Sequence, residues 1–265
     1  MKDLILAALP GDFPWQNQII WFDSTDSTNT RAKELAKQGA PHGTVLIAGS
    51  QTGGRGRMGR SFHSPEGSGV YMSVILRPDC APGALMHLTC AVAVTMCDAV
   101  ETATGLRPGI KWTNDLVHGK RKLGGILTEL GLKTDGTVDY AIVGIGINCS
   151  QKELDFPEDI RDIAGSLAGV TGKDIDRSRV AVEMITALHK MHCSLLTGRE
   201  EMLAAYRRDC VTLGKQISLV RGEDIRHGKA LDMDNEGALI VEFDNGSREV
   251  VNSGEVSIRG MYGYL

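Results

Sequence analysis

Residues Ser50–Ser64 read SQTGGRGRMGRSFHS and form the most distinctive stretch of this 265-residue chain. The stretch contains three arginines and four glycines, and it has no acidic residue. Glycine permits positive φ and close approach of a ligand, while planar guanidinium groups bind carboxylates and phosphates through paired hydrogen bonds. A basic loop for RNA and a merely solvated loop are the alternatives. The density of both residue types favours an anion-binding loop.

Apolar runs flank this loop on both sides and predict two buried strands. Gly43–Gly49 reads GTVLIAG and Val70–Leu76 reads VYMSVIL. The arginines therefore lie on a long loop between two core strands, which is where rigid scaffolds present functional groups.

The bulk composition is that of an ordinary soluble globular protein, with 42% hydrophobic and 23% charged residues. A formal net charge of −4 argues against a general nucleic-acid binder. Six scattered cysteines without a C-x-x-C pair indicate reduced thiols and neither a disulfide framework nor a zinc site. We find no signal peptide and no apolar run near the ~18–20 residues that span a membrane, so we expect a cytoplasmic protein.

The segment before the loop predicts a strand at Ile19–Asp23 and a short helix at Arg31–Gln38. Between them, Asp23–Thr30 reads DSTDSTNT. Helix capping is the simpler interpretation of Ser27, Thr28 and Asn29, but one residue suffices for a cap and this stretch offers several. The cluster is therefore also a candidate binding site.

Downstream of the loop, Ala84–Ala103 has the apolar spacing of a long amphipathic helix that ends at Gly105. Strand-like Ile110–Val117 then turns at His118–Lys120 and returns as Leu123–Leu130. Lys111 lies within the first of these apolar strands, where it either extends to the surface or is held for a ligand. Thr137–Asn148 predicts another strand, which ends in GIGIN.

The pattern becomes helical from Gln151 to Cys210, with helices predicted at Asp159–Leu167, Ser178–Leu195 and Glu200–Cys210. His189 and His192 lie three residues apart in the second of these. No carboxylate or third histidine joins them in the sequence, so we expect no metal there.

Short strands joined by turn sequences follow Leu213 and predict a small β-barrel. We place the boundary near Thr212, which divides the chain into residues 1–212 and 213–265.

Together, these stretches resemble a biotin protein ligase. The signatures are DSTN at 26–29, GRGRMGR at 54–60, KWTNDL at 111–116, KLGGIL at 122–127, GIGIN at 144–148 and GEVSIR at 254–259. The resemblance implies an α+β fold, in which a mixed-sheet, class II synthetase-like catalytic domain precedes an SH3-like β-barrel. It also implies a ligase that converts biotin and ATP to biotinyl-5′-AMP and transfers biotin to a lysine of a biotin carboxyl carrier domain.

Two departures from the family pattern stand out. Members usually read KWPND, whereas Thr113 replaces the proline here; we expect an extended strand that keeps the direction of Lys111. The residues before Trp21 are too few for the winged helix that some members carry, so we expect the monofunctional type, without DNA or membrane binding. A homodimer is possible, and the sequence does not decide the oligomeric state.

The resemblance also implies residue roles. Lys111, Arg55 and Arg57 would be catalytic, stabilising the carboxylate, the phosphate and the anhydride between them. Residues that would bind biotin are Ser27, Thr28, Asn29, Gln51, Arg55, Gly56, Arg57 and Lys111. Residues that would bind ATP are Arg57, Arg60, Lys111, Asn114, Lys122, Asn148 and Arg259. Mg²⁺ would accompany ATP with Asn148 as its candidate contact.

Two other functions compete with this one. A lipoate ligase shares the catalytic fold, but the GRGRxGR loop is the version of the biotin enzymes. An RNA-binding module would explain the basic loop, but 5% aromatic residues and an acidic net charge argue against it.

Overall fold

The computed structural model describes the backbone of residues 1–252 and 257–260, and the Ser257 and Arg259 side chains lie outside the described part. The helices are α1 (Lys2–Ala8), α2 (Thr28–Lys37), α3 (Leu88–Thr104), α4 (Glu158–Arg161), α5 (Leu167–Thr171), α6 (Arg177–Ser194) and α7 (Arg199–Asp209). The strands are β1 (Ile19–Thr25), β2 (Thr44–Gln51), β3 (Gly69–Leu76), β4 (Gly109–Lys111), β5 (Asp115–His118), β6 (Arg121–Leu132), β7 (Val138–Asn148), β8 (Gln216–Arg221), β9 (Asp224–Met233), β10 (Leu239–Phe243), β11 (Arg248–Val251) and β12 (Ser257–Gly260).

These strands form two separate sheets. The first has the order β1-β2-β3-β7-β6-β5-β4, in which β1 and β2 run parallel and every other neighbouring pair is antiparallel. The second has the order β11-β10-β9-β8-β12 and is antiparallel. The predicted mixed-sheet domain, followed by a C-terminal β unit, is confirmed at this level.

The first sheet is covered on both faces, because alternate residues of its central strands face opposite sides. Val45 and Ile47 of β2 belong to the main core with α3 and α6. Leu46 belongs to a smaller cluster beneath α2, together with Ala32 and Ala36. Nearly continuous apolar strands are the expected sequence of a sheet covered on both faces.

Helix α3 is the central helix of the core and contacts both α6 and α7. It ends at Gly105, which adopts the left-handed conformation (φ 79°) that a helix C-terminus favours. By length and composition, Pro82–Thr104 is apolar enough to cross a membrane. The prediction that no apolar run is long enough to span a membrane is therefore wrong. Since 72% of its most apolar window is buried inside the protein, it is a core helix.

Two predicted elements differ from the structure. The helix predicted at Asp159–Leu167 is interrupted between α4 and α5, because Lys122 at the start of β6 pairs with the intervening backbone through Lys122 N–Ile163 O (2.6 Å) and Gly165 N–Lys122 O (2.9 Å). Helix α2 begins at Thr28, three residues before the predicted start. The polar cluster therefore forms the first turn of the helix.

The strand predicted at Ile110–Val117 is in fact two antiparallel strands, β4 and β5, joined by a turn at 112–114. The peptide bond between Trp112 and Thr113 is cis. Residues outside the turn hydrogen-bond its backbone groups: Trp112 N donates to Thr212 Oγ1 (2.9 Å), and Tyr206 Oη donates to the Thr113 carbonyl (3.0 Å). Our expectation that Thr113 lies in an extended strand is therefore wrong.

Candidate active site

A cleft of about 940 Å³ lies between the first sheet and the C-terminal sheet. Its walls come from the start of α2, the arginine loop, the β4–β5 turn, strands β6 and β7, and residues of β8, β9 and β12. Of the predicted site residues, the following line it: Ser27, Thr28, Asn29, Gln51, Arg55, Gly56, Arg57, Arg60, Lys111, Asn114, Lys122 and Asn148. The Arg259 side chain lies outside the described residues, so its contact with ATP stays a prediction.

The uncharged polar residues at the start of α2 form one connected cluster. Ser27 occupies the cap position without capping the helix through its side chain, and Gln51 Oε1 instead accepts from Thr28 N at 2.8 Å. Fully buried Ser73 lies 2.8 Å (Oγ–Oγ1) from Thr28 and 2.6 Å (Oγ–Oδ1) from Asn29. Capping therefore does not account for Thr28 and Asn29, because buried partners orient both side chains at the cleft wall.

Glycines of β7 let this cluster and the loop approach the sheet closely. A Cβ at Gly144 would overlap the Asn29 amide, and one at Gly146 would overlap the Phe62 ring. The alternating glycines of GIGIN therefore accommodate the protein's own Asn29 and Phe62 as well as opening the cleft floor.

The arginine loop is a compact, self-bonded excursion from β2. Isolated bridges pair Gln51 with Ser64 and Arg55 with Ser61, and Gly56 N donates to the Arg60 carbonyl at 2.7 Å. At its tip, Met58 adopts a positive φ of 56° and is followed by Gly59 at 73°. The loop can thus direct successive arginines to different parts of the cleft.

Arg55 points towards the polar cluster and contacts Glu129 of β6 with both terminal nitrogens. The Nη1–Oε2 distance is 3.1 Å and the Nη2–Oε1 distance is 3.2 Å. The same carboxylate accepts from Asn29 Nδ2 at 3.1 Å and lies 3.6 Å from Lys33 Nζ. Glu129 therefore connects the first turn of α2 with the arginine loop, and any anion that Arg55 binds must compete with it.

Arg57 lies deeper than Arg55 and donates from Nη1 to Asn114 Oδ1 at 2.9 Å. Burial lowers the pKa of its guanidinium, nearby Arg60 lowers it further, and Asp115 opposes the shift. The group stays charged at neutral pH. A desolvated guanidinium beside a developing negative charge interacts more strongly than an exposed one.

Lys111 is the last residue of β4 and is only 5% exposed. It lies opposite Asp115 in the β4–β5 ladder and lines the cleft. The adjacent turn is held by Trp112, whose Nε1 donates to the Gly237 carbonyl at 3.0 Å, and by Asn114, whose Nδ2 donates to the Ile126 carbonyl at 3.0 Å. The lysine is therefore buried at the cleft and does not extend along an exposed strand.

Two predicted ATP-binding side chains have partners within the protein. Lys122 Nζ lies 2.6 Å from Asp115 Oδ1. Asn148 Nδ2 donates to the Gly165 carbonyl at 2.9 Å, and its Oδ1 accepts from Gln151 Nε2 at 3.3 Å. Asn148 thus has a fixed orientation in which one lone pair of its oxygen is already in use.

The charge of the cleft is the reverse of the charge of the whole chain. Among the residues that the structure describes, five cationic side chains line it, namely Arg55, Arg57, Arg60, Lys111 and Lys122, against the two carboxylates of Asp115 and Asp159. Such a cleft attracts anionic ligands and stabilises negative charge that develops during a reaction.

Sequence reasoning missed Glu129, Ser73 and Asp115 as site residues. A carboxylate in the apolar run of β6 and a serine in the apolar run of β3 were the available signals, since a buried polar residue needs a partner. The partners themselves are remote in sequence, since Glu129 follows Arg55 by 74 positions, so only the fold reveals them.

Comparison with known proteins gives two family matches. The model of the biotin/lipoate A/B protein ligase family matches residues 21–148, and that of the biotin protein ligase C-terminal domain matches residues 212–259. The first segment contains the residues that line most of the cleft, and the second contains the C-terminal sheet.

Individual relatives agree with these matches. The chain is 37% identical over 236 residues to the bifunctional ligase/repressor BirA of Bacillus subtilis, covering 89% of this chain and 72% of the relative. It is 30% identical over 263 residues to the biotin–[acetyl-CoA-carboxylase] ligase of Mycobacterium tuberculosis, covering 97% and 93%. Among solved structures, Aquifex aeolicus biotin protein ligase in complex with biotin and ATP has a TM-score of 0.77 and 32% identity, covering 92% of this chain and 99% of the other.

Proposed function

Because this chain belongs to the biotin protein ligase family, we propose that its cleft is the site at which biotin and ATP react. The protein is a ligase that activates biotin with ATP and transfers it to a protein lysine. One observation carries the assignment to this cleft: Asn29, Arg57 and Lys111, from three separate sequence motifs, all line it.

In the first step, a biotin carboxylate oxygen attacks the α-phosphorus of ATP, forms biotinyl-AMP and releases pyrophosphate. Two anions must approach each other, so the step needs cations held in place beforehand. We assign this role to Lys111 and Arg57. Lys111 is almost fully buried, and Arg57 is held by its hydrogen bond to Asn114. We assign the outer phosphates to Arg60, which is exposed on the loop.

In the second step, a lysine amine attacks the acyl carbon of the anhydride, and AMP leaves with the electrons of the broken C–O bond. The leaving phosphate gains charge, which the same cations stabilise. We propose that the amine belongs to a biotin carboxyl carrier domain, because the mycobacterial relative is named as a ligase that acts on acetyl-CoA carboxylase.

The polar cluster at α2 suits the ureido head of biotin, which carries one carbonyl acceptor and two N–H donors. Thr28 and Asn29 present hydroxyl and amide groups held by Ser73 and Gln51. Because these supporting contacts are buried, the cluster is organised before the ligand binds, which reduces the entropy lost on binding.

Mg²⁺ is the cation that ATP brings, and the cleft fits an ion held chiefly by phosphates and water. Asp115 is paired with Lys122, and Asp159 is exposed. Asn148 Oδ1 accepts one long hydrogen bond, from Gln151 Nε2 at 3.3 Å. We infer that Asn148 is the protein oxygen best placed to approach the ion, which would neutralise phosphate charge.

The finer features of the fold are proposals of the same kind. The antiparallel order β11-β10-β9-β8-β12 supports an SH3-like barrel after a class II synthetase-like catalytic domain, with the boundary between residues 212 and 213. Six free cysteines support a cytoplasmic location. A homodimer and the absence of DNA binding stay predictions.

A transfer assay with purified carrier domain tests this function. We expect ATP-dependent incorporation of biotin that disappears in Lys111→Ala, with lipoate as the competing acid and an acceptor domain without its target lysine as the control. Equal incorporation of lipoate would contradict biotin specificity. Biotinylation by Lys111→Ala at the wild-type rate would contradict the proposed site.

A further inference from the structure

A second group of reactive side chains lies outside the cleft, in the last turns of α6. His189 and His192 project from this helix towards the segment that contains Phe13 and Trp15, and Cys193 follows His192 on the same helix. The His189 ring centroid is 5.3 Å from that of Phe13 and 5.1 Å from that of Trp15. No residue of this group lines the described cleft.

The ligand atoms of this group are close enough to share one ion. His189, His192 and Cys193 each offer one nitrogen or sulfur, and these atoms all lie within 4.8 Å of one another. Positions i, i+3 and i+4 place the side chains on neighbouring parts of the helix surface. Imidazole and thiolate are the ligands that Zn²⁺ and similar cations prefer, and hard cations such as Mg²⁺ do not.

Hydrogen bonds prepare His192 for coordination. Its Nδ1 lies 2.8 Å from the His189 carbonyl and can only donate to it, so the lone pair of the neutral ring lies on Nε2. Histidine ligands of metals commonly make such a bond with their other nitrogen.

His42 lies beside the group but is not a ligand in this arrangement. Its ring centroid is 4.4 Å from that of His192. Its Nδ1 accepts the Arg77 backbone N–H at 3.0 Å, so the lone pair of the neutral ring is already in use. Its Nε2 is buried without a hydrogen-bond partner. His42 therefore provides a matched control for the three ligands.

We propose that His189, His192 and Cys193 bind a single Zn²⁺-like cation, with a fourth position open to water. The expectation of no metal at His189 and His192 overlooked Cys193, which follows directly and is exposed. The thiol now donates to the His189 carbonyl (Sγ–O 3.3 Å) and would lose its proton to solvent on binding. This proposal does not depend on the ligase activity.

Titration of the untagged, EDTA-treated full chain with Co²⁺ tests the site. We expect visible d–d bands and near-ultraviolet thiolate-to-cobalt charge transfer, both removed by Zn²⁺. Cys193→Ser should abolish the charge-transfer band, and His189→Ala should weaken the apparent Kd by at least about tenfold. His42→Ala and Cys80→Ser should leave the bands in place, and circular dichroism checks that each variant is folded.

Three results would overturn the proposal: no charge-transfer band in folded wild type, a band that survives Cys193→Ser, or a band that His42→Ala removes as completely as Cys193→Ser does. A thermal melt provides a second readout, because a ligand bound only by the folded state stabilises it. Zn²⁺ should raise the Tm of wild type and leave that of Cys193→Ser unchanged, and an equal rise in both would also contradict the site.

Discussion

At the scale of single residues, Lys111 has the strongest claim to the chemistry. A compact ammonium can contact a carboxylate oxygen and a phosphate oxygen together, whereas a wider guanidinium would separate the reacting groups. Misplacement by ~1 Å can cost about a hundredfold in rate. We therefore expect both Lys111→Arg and Lys111→Ala to lose single-turnover adenylation at saturating biotin and ATP.

Thermal melts provide the control for this prediction, because Lys111 is buried and its loss could also unfold the protein. If Lys111→Arg reacts at the wild-type rate, the lysine serves the fold and not the reaction.

Arg57→Ala tests the second cation. We expect a loss of about 2–4 kcal/mol in transition-state stabilisation of adenylation, comparable to the loss of an oxyanion donor. The weakened site should also release biotinyl-AMP, which would label lysines on bystander proteins. Arg248→Ala is the control, because it removes the same group from an exposed position outside the cleft. Tight retention of the adenylate by Arg57→Ala would argue against the role.

The Arg55–Glu129 contact predicts an energetic coupling across the cleft wall. Their side chains are 43% and 17% exposed, so solvent screens the pair and we expect about 0.2–1 kcal/mol of coupling. A double-mutant cycle with Arg55→Gln and Glu129→Gln, measured by denaturant unfolding, gives this value. Glu129→Gln should also raise the KM for biotin more than it changes kcat, because Asn29 loses an anchored partner. Additive effects on stability and an unchanged KM would show that the contact has no role.

At the scale of elements, the arginine loop should respond to ligands. Several of its residues are exposed, and it carries three like charges whose mutual repulsion an anionic ligand would reduce. Limited proteolysis should cut near Arg55–Arg60 in the free protein and much less with biotin plus ATP. Cleavage of an unrelated exposed site, such as the β10–β11 turn, should not change. Equal cutting of the loop in both states would contradict this prediction.

The sequence predicted elements wherever local signals matched the tertiary fold. The strands around the arginine loop and the stop of α3 at Gly105 follow from periodicity and end signals. The turn at 112–114 was missed because its partners, Tyr206 and Thr212, are remote in sequence. Contacts of this kind override local propensity.

Site residues were likewise predicted where a local motif contains them and missed where their role depends on contacts remote in sequence. Those on contiguous motifs, such as Asn29 and Lys111, were predicted and line the cleft. Glu129 was missed because its importance arises from contacts with Arg55 and Asn29, which no local pattern contains.

At the scale of the whole molecule, the buried histidines predict acid sensitivity. Burial and the neighbouring His192 and His189 hold the pKa of His42 at about 4, below its ordinary 6.5. The unfolded chain therefore binds more protons as the pH falls below 6.5, so stability is fully present above that pH and declines towards pH 4. Burial lowers the pKa of His87 in the same direction.

Melts from pH 7.5 to pH 4.5 in EDTA, with roughly half-unit steps, check this sign. We expect the Tm to fall on acidification, and the fall should be smaller in His42→Gln. His118→Gln, at the exposed last residue of β5, is the control. A wild-type Tm that rises as the pH drops through this window would contradict the assignment.

The hydrogen bonds of Trp112 also affect how such chains can recombine. Its backbone N–H depends on Thr212 and its indole on Gly237, so the turn beside Lys111 is completed by residues that follow it by 100 and 125 positions. A Cβ at Gly237 would lie 2.7 Å from Cys90 Sγ of α3, so this partner is also closely matched to the core. A chimaera that exchanges the C-terminal sheet between relatives must therefore bring a compatible turn with it.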